Sequence, residues 1–179
     1  MGPVTARRTP RAQTRERYEL LTQKIISLVS ATPVEARRIR VLVDPIAGLE
    51  DSSRHWSLNG VLEHLLIVSK NIEDVILTLS SGSMPAGVAD TARVKPQNMV
   101  EDRLADFVDY APELIQRLDR KLAEPSRNFE SPLKFRHPWF GGFTAKQWYW
   151  LLAGHQAIHY QQVKGITQKL KANKTAVKT

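Results

Sequence analysis

The sequence predicts an all-α protein, a four-helix up-and-down bundle. Three observations carry that reading. Four stretches have apolar residues recurring at spacings of three and four, Pro and Gly punctuate the chain between them, and no segment shows the alternation of a strand. With 179 residues, 42% of them apolar and 25% charged, the chain suits a single hydrophobic core.

The first helix is marked by Tyr18, Leu21, Ile25, Leu28 and Thr32, and Pro33 closes it. A short amphipathic piece at 34–43 follows, before Pro45 and Gly48 break the chain. The second helix should start at Ser57, whose hydroxyl can accept from an otherwise orphaned amide of the first turn. Its stripe of Leu58, Val61, Leu65, Val68, Ile72, Val75 and Leu79 is uninterrupted, and the Ser-rich run to Gly82 and Pro85 ends it. A polar connection at 83–98 leads to the third helix, with Leu104, Val108, Ala111, Ile115, Leu118 and Leu122 on one face. Pro112 lies inside that pattern and lacks a backbone donor, which predicts a kink or break near 108–112. Pro125 and Pro132 bracket a loop that reaches Gly141 and Gly142. The fourth helix opens with Thr144-Ala145-Lys146-Gln147, the pattern of a capping box. Its inward stripe reads Trp148, Leu152, His155, His159, Gln162 and Ile166.

The net charge of +8 belongs to the ends. Arg7, Arg8, Arg11, Arg15 and Arg17 face only Glu16 near the start, and Lys164, Lys169, Lys171, Lys174 and Lys178 meet no acid near the finish. The body between them is close to neutral, so nucleic acid is not the expected partner despite the basic total. These shifts divide the chain into a basic N-terminal tail at 1–15, one bundle domain at 16–170 and a basic tail at 171–179. The absence of cysteine rules out a disulfide scaffold, a cysteine zinc ribbon and a protein thiol nucleophile. The most apolar stretch, 58–79, carries His64, Lys70, Glu73 and Asp74 and does not read as membrane-spanning. No export or transit pattern is recognisable in the Pro3- and Pro10-containing start, so a cytoplasmic protein is expected.

Chemistry enters with the fourth stripe, where two successive inward positions are His155 and His159. Residues four apart on a helix hold their β-carbons about 5–6 Å from each other, a spacing at which two imidazoles can share one metal ion. His64 flanks the stripe of the second helix and offers a third imidazole from a facing element. Hydrogen-bonded core histidines are the ordinary alternative for the same pattern. Gln156 stands where an HExxH metalloprotease carries its general base, and no Glu-x-x-His occurs, so neither that protease mechanism nor a ferritin-like di-iron site is available. His55 and His137 read as surface or packing residues, Glu63 as solvated, and Trp139, Phe140, Trp148 and Tyr160 as either pocket or core.

Two segments resemble a known family. His55-Trp56-Ser57, followed by an aliphatic stretch to His64-Leu65-Leu66, is similar to the opening of helix two in the DinB/YfiT-like superfamily. The run His137-Pro138, Gly141, Thr144, then His155, His159 and Gln162, resembles that family's helix-four motif. The Pro112 interruption and the basic tails depart from it. The resemblance implies a four-helix bundle with one divalent metal ion, zinc, nickel or iron, on His64, His155 and His159. It also implies a small-molecule substrate and, in some members, an external low-molecular-weight thiol such as mycothiol or bacillithiol. Gln162 would orient an imidazole or touch substrate. Related bundles associate through helix faces, so a homodimer is a further expectation. The expected function is that of a metal-dependent hydrolase or thiol S-transferase. The competing expectation is a non-catalytic binding or stress-response bundle whose tails contact nucleic acid or an acidic partner.

Overall fold

The computed structural model describes residues 10–176, and helix dominates them. In order come α1 (Arg11–Ser30), the short α2 (Val34–Arg37), α3 (Leu58–Ser80), α4 (Leu104–Leu122), β1 (Phe135–His137), β2 (Gly141–Phe143) and α5 (Ala145–Ala176). The charges of Arg7, Arg8 and Lys178 lie outside the described residues.

Both caps read from the sequence are present. Ser57 Oγ accepts from Gly60 N at 3.0 Å and starts α3. Gln147 Oε1 accepts from Thr144 N at 3.0 Å, while Thr144 Oγ1 lies 3.4 Å from Gln147 N, closing the reciprocal box at the head of α5. The boundaries are wider than composition suggests. α1 begins at Arg11, inside the stretch 1–15, because the Arg11 guanidinium has a partner: its Nε donates to Asp119 Oδ1 at 2.7 Å and its head lies over the Phe129 ring. α5 continues past position 170 to Ala176, since no Gly or Pro follows Gly165 to stop it.

Three expectations are corrected. α4 is continuous through Pro112, so the chain does not break there; the carbonyl that loses its helical donor belongs to Val108, a residue that is 40% exposed. The buried stripe of α4 accordingly starts at Phe107, with Ala111, Leu114, Ile115, Leu118 and Leu122, and Val108 is not part of it. The loop between α4 and α5 contains a two-stranded antiparallel hairpin pairing Phe135 with Phe143 and His137 with Gly141. Gly141, the first residue of β2, has φ 77°, a left-handed conformation that glycine adopts without strain directly after the three-residue turn at 138–140.

The helices also pair out of sequence order. α1 packs on α5 and α4, and α3 packs on α5 and α4, whereas α1 with α3 and α4 with α5 form no extensive contact. An up-and-down order would pair each helix with its sequence neighbours. Only α3 and α4 do so, and the long connections at 31–57 and 123–144 allow the other helices to sit diagonally.

The core separates into two apolar clusters. One gathers Ile72, Ile76 and Leu79 of α3 with Leu114 and Leu118 of α4 and Trp148 to Ala153 of α5. The other gathers Ile25 and Val29 of α1 with Val41, Val43, Leu58, Val61, Leu62, Leu65 and Leu66 of α3, and Val163 and Ile166 of α5. Polar residues fall between them along the inward faces of three helices: Thr22 on α1, Ser69 on α3, and His155, Gln156, His159 and Gln162 on α5. Gln156 Nε2 donates to Thr22 Oγ1 at 2.9 Å within this layer.

Candidate metal centre

His155 and His159 project one turn apart from α5, and α3 brings His64 against them. The three ring centroids are 4.5–5.0 Å apart, and one ligand nitrogen of each lies within 4.8 Å of the other two. His64 Nε2 is 3.1 Å from His155 Nε2. Two nitrogens on a tetrahedral ion with bonds of about 2.0–2.1 Å are roughly 3.3 Å apart, so this separation suits a shared cation.

The hydrogen bonds around the rings decide which nitrogens are free. His64 Nδ1 lies 2.6 Å from the Val94 carbonyl, which can only accept, so Nδ1 carries the proton and Nε2 is left with its lone pair. Gln162 Nε2 donates to the Ser53 carbonyl at 2.7 Å, which turns its Oε1 toward His159. His159 Nδ1 then donates to that Oε1 at 2.7 Å and also leaves Nε2 free. Metal-binding imidazoles are ordinarily oriented in this manner, by an acceptor on the nitrogen away from the ion.

All three imidazoles are held neutral. Burial pushes His64 down to about 4, against a weaker upward pull from the Val94 carbonyl and Glu50. Burial also drives His155 and His159 well below the usual histidine value, and neighbouring imidazoles add to the effect. Protonation would place like charges together, whereas a cation requires the neutral form.

His155 opens onto a cavity of about 850 Å³ that reaches all three histidines. Its walls are mainly apolar, with Trp56, Ile67, Val75, Trp148, Leu151 and Ile158 among them. Trp56 backs the site, its ring 5.0 Å from His64 and parallel to His159 at 6.2 Å. The connection after α3 forms one side and is pinned in place: Ser57 Oγ donates to the Met99 carbonyl at 2.5 Å, Asn59 Nδ2 to the Val100 carbonyl at 3.0 Å, and Asn98 N to Glu63 Oε2 at 2.9 Å. Glu63 is thus a half-buried anchor for this connection, not the solvated residue its place on the helix suggests.

The remaining candidates divide. His55 is exposed, as expected of a surface residue. Trp139, Phe140 and Trp148 line the cavity, while Tyr160 packs against the second apolar cluster with Lys24 over its ring. His137 is half-buried in the cavity wall and stacks on Phe140 and Phe143. The Val94 and Ser53 carbonyls, which orient two of the rings, are backbone groups and leave no signature in a sequence. Compared with known proteins, the chain matches no family model, no curated protein and no solved structure. The chemistry of the site therefore rests on its own geometry.

Proposed function

We propose that the chain is a mononuclear metal-dependent enzyme built as a four-helix bundle of the DinB/YfiT-like kind. His64, His155 and His159 would hold one divalent ion, with zinc, nickel and iron all suited to imidazole. The observation that carries this reading is the buried convergence of three neutral imidazoles, two of them with Nδ1 committed to an acceptor. When bound, such an ion supplies Lewis acidity that can bring the pKa of a water or thiol beside it to about 7.

The chain's own residues supply the rest. The Val94 carbonyl and Gln162 fix two ring orientations, Trp56 limits their movement, and the apolar walls exclude water from around a substrate. Three protein ligands leave coordination room for a reactant, the arrangement of a catalytic centre. With no cysteine in the sequence, a thiol reactant would come from an external low-molecular-weight compound. Hydrolysis and thiol transfer are the reaction classes this centre fits. In the metal-free chain, His155 can donate Nε2–H to His64 Nε2 across the same 3.1 Å.

The test is metal analysis of the untagged protein, followed by thermal unfolding with added Zn²⁺ or Ni²⁺. One equivalent of tightly held metal and a raised melting temperature are expected. If no metal co-purifies and neither ion moves the transition, the reading fails.

A further inference from the structure

The cavity has a chemistry beyond the three histidines. The ionic groups on its edge are committed to each other, Lys95 lying 3.5 Å from Glu50 and Arg93 3.7 Å from Asp90. Asp74, exposed on α3, is the lining carboxylate without a cation partner among the described residues and disfavours anions. Val88, Trp139 and Phe140 also line the cavity yet remain 75%, 55% and 39% exposed. Large apolar side chains are left in water there, and a greasy ligand would cover them. The volume falls within the usual range for small-molecule sites.

His137 supplies a directional polar group to this wall. The Trp139 backbone N–H donates to His137 Nδ1 at 3.2 Å, so the ring proton sits on Nε2. Stacking on Phe140 at 4.7 Å and Phe143 at 5.5 Å holds the ring in place. Its Nε2–H has no protein acceptor among the described residues, and His137 lines the same cavity as His155.

We propose that the cavity takes a neutral, largely apolar molecule bearing one acceptor group such as a carbonyl, and that His137 Nε2–H holds that acceptor on the wall beside the histidine triad. This names the substrate class for the enzyme reading. It rests on that reading for turnover but not for binding. An anionic body would enter apolar walls with no free counter-charge and with Asp74 opposing it, whereas each added methylene gains from leaving water. His137 contributes the hydrogen bond that sets the ligand's position along those walls.

The probe is N-phenyl-1-naphthylamine, an uncharged fluorophore, bound to the full chain as purified and after chelator treatment. Three of the four tryptophans, Trp56, Trp139 and Trp148, line the cavity, so energy transfer from tryptophan reports occupancy. Displacement by 2-alkanones from pentanone to nonanone should tighten about four-fold per methylene. In the chelated protein, octyl sulfate should compete far less well than 2-octanone. His137→Phe keeps an aromatic ring in the stack and should weaken 2-nonanone by roughly 2- to 10-fold while leaving the fluorophore's affinity unchanged.

Competition that ignores chain length, a preference for the sulfate, or equal ketone affinity in folded His137→Phe would overturn the proposal. Should that variant not fold, the chain-length and charge series on the unaltered protein decide. Zinc titration of the same samples separates the two readings. Ketone binding without zinc binding would sink the metal reading alone, and zinc binding without ketone binding would sink the ligand class alone.

Discussion

Gln162 offers the sharpest test of how the site is held. It is fully buried, accepts from His159 Nδ1 at 2.7 Å and donates to the Ser53 carbonyl at 2.7 Å. Replacing it by Leu keeps the approximate volume and removes both bonds. The His159 N–H and the Ser53 carbonyl then lose their partner in a dry environment, each at a cost of about 1–3 kcal/mol. His159 also loses the acceptor that directs Nε2 toward the site, and loss of such a partner typically lowers metal affinity about 10- to 100-fold, or roughly 1.4–2.7 kcal/mol. Gln162→Glu separates the two effects. Its carboxylate still accepts from His159 but cannot donate to Ser53, so stability should fall while zinc affinity stays near the unaltered value. Zinc competition against a chromophoric chelator reads the affinity, and urea unfolding of the metal-free protein reads the stability. A folded Gln162→Leu with unchanged zinc affinity would refute the reasoning, as would Leu and Glu variants that bind zinc equally.

Further outcomes follow from the same geometry. The pKa of His64 is pushed down to about 4 by burial, below its unfolded value, so between about pH 6.5 and 4 the unfolded chain binds a proton that the folded chain refuses. Its contribution is present above pH 6.5 and is lost as the pH falls; His64 alone should remove roughly 2 kcal/mol of metal-free stability from pH 7 to 5, and a flat urea midpoint over that range would contradict this. Asp119 accepts from Arg11 Nε at 2.7 Å and from the buried Tyr149 hydroxyl at 2.9 Å, joining α1, α4 and α5. Asp119→Ala should therefore cost about 1–3 kcal/mol in chemical unfolding, with Asp119→Asn milder because an acceptor remains. Gly48 has φ 87°, and a β-carbon there would lie 2.8 Å from Ile158 Cδ1, beside His159. Gly48→Ala should lose about 1–3 kcal/mol of stability in thermal or urea unfolding, and an unchanged midpoint would remove the argument for close approach.

Local chemistry made part of this molecule legible before its structure. The caps at Ser57 and Thr144 depend on residues within one turn, and both were readable as written. The His155–His159 pair was equally readable, because helical spacing alone puts both rings on one face, and His64 flanked the second stripe. What escaped depends on distant or backbone groups. The hairpin's strands are three residues each and carry no alternation, with Gly141 and Gly142 in one of them. Pro112 suggested a break, but the apolar contacts of Phe107, Ala111, Leu114 and Ile115 outweigh one missing hydrogen bond. Helix pairing followed the long connections, which periodicity does not register. The role of His137 was obscured because its stacking partners come from the hairpin and α5.

The central claim is that three imidazoles form one metal site. X-ray absorption at the zinc edge of the loaded, untagged chain tests it most directly. A single zinc per chain is expected, with three imidazole nitrogens at about 2.0–2.1 Å and one lighter, exchangeable ligand, a pattern lost in His64→Ala, His155→Ala and His159→Ala alike. A shell dominated by carboxylate oxygen, or an unchanged spectrum in any of the three variants, would contradict it.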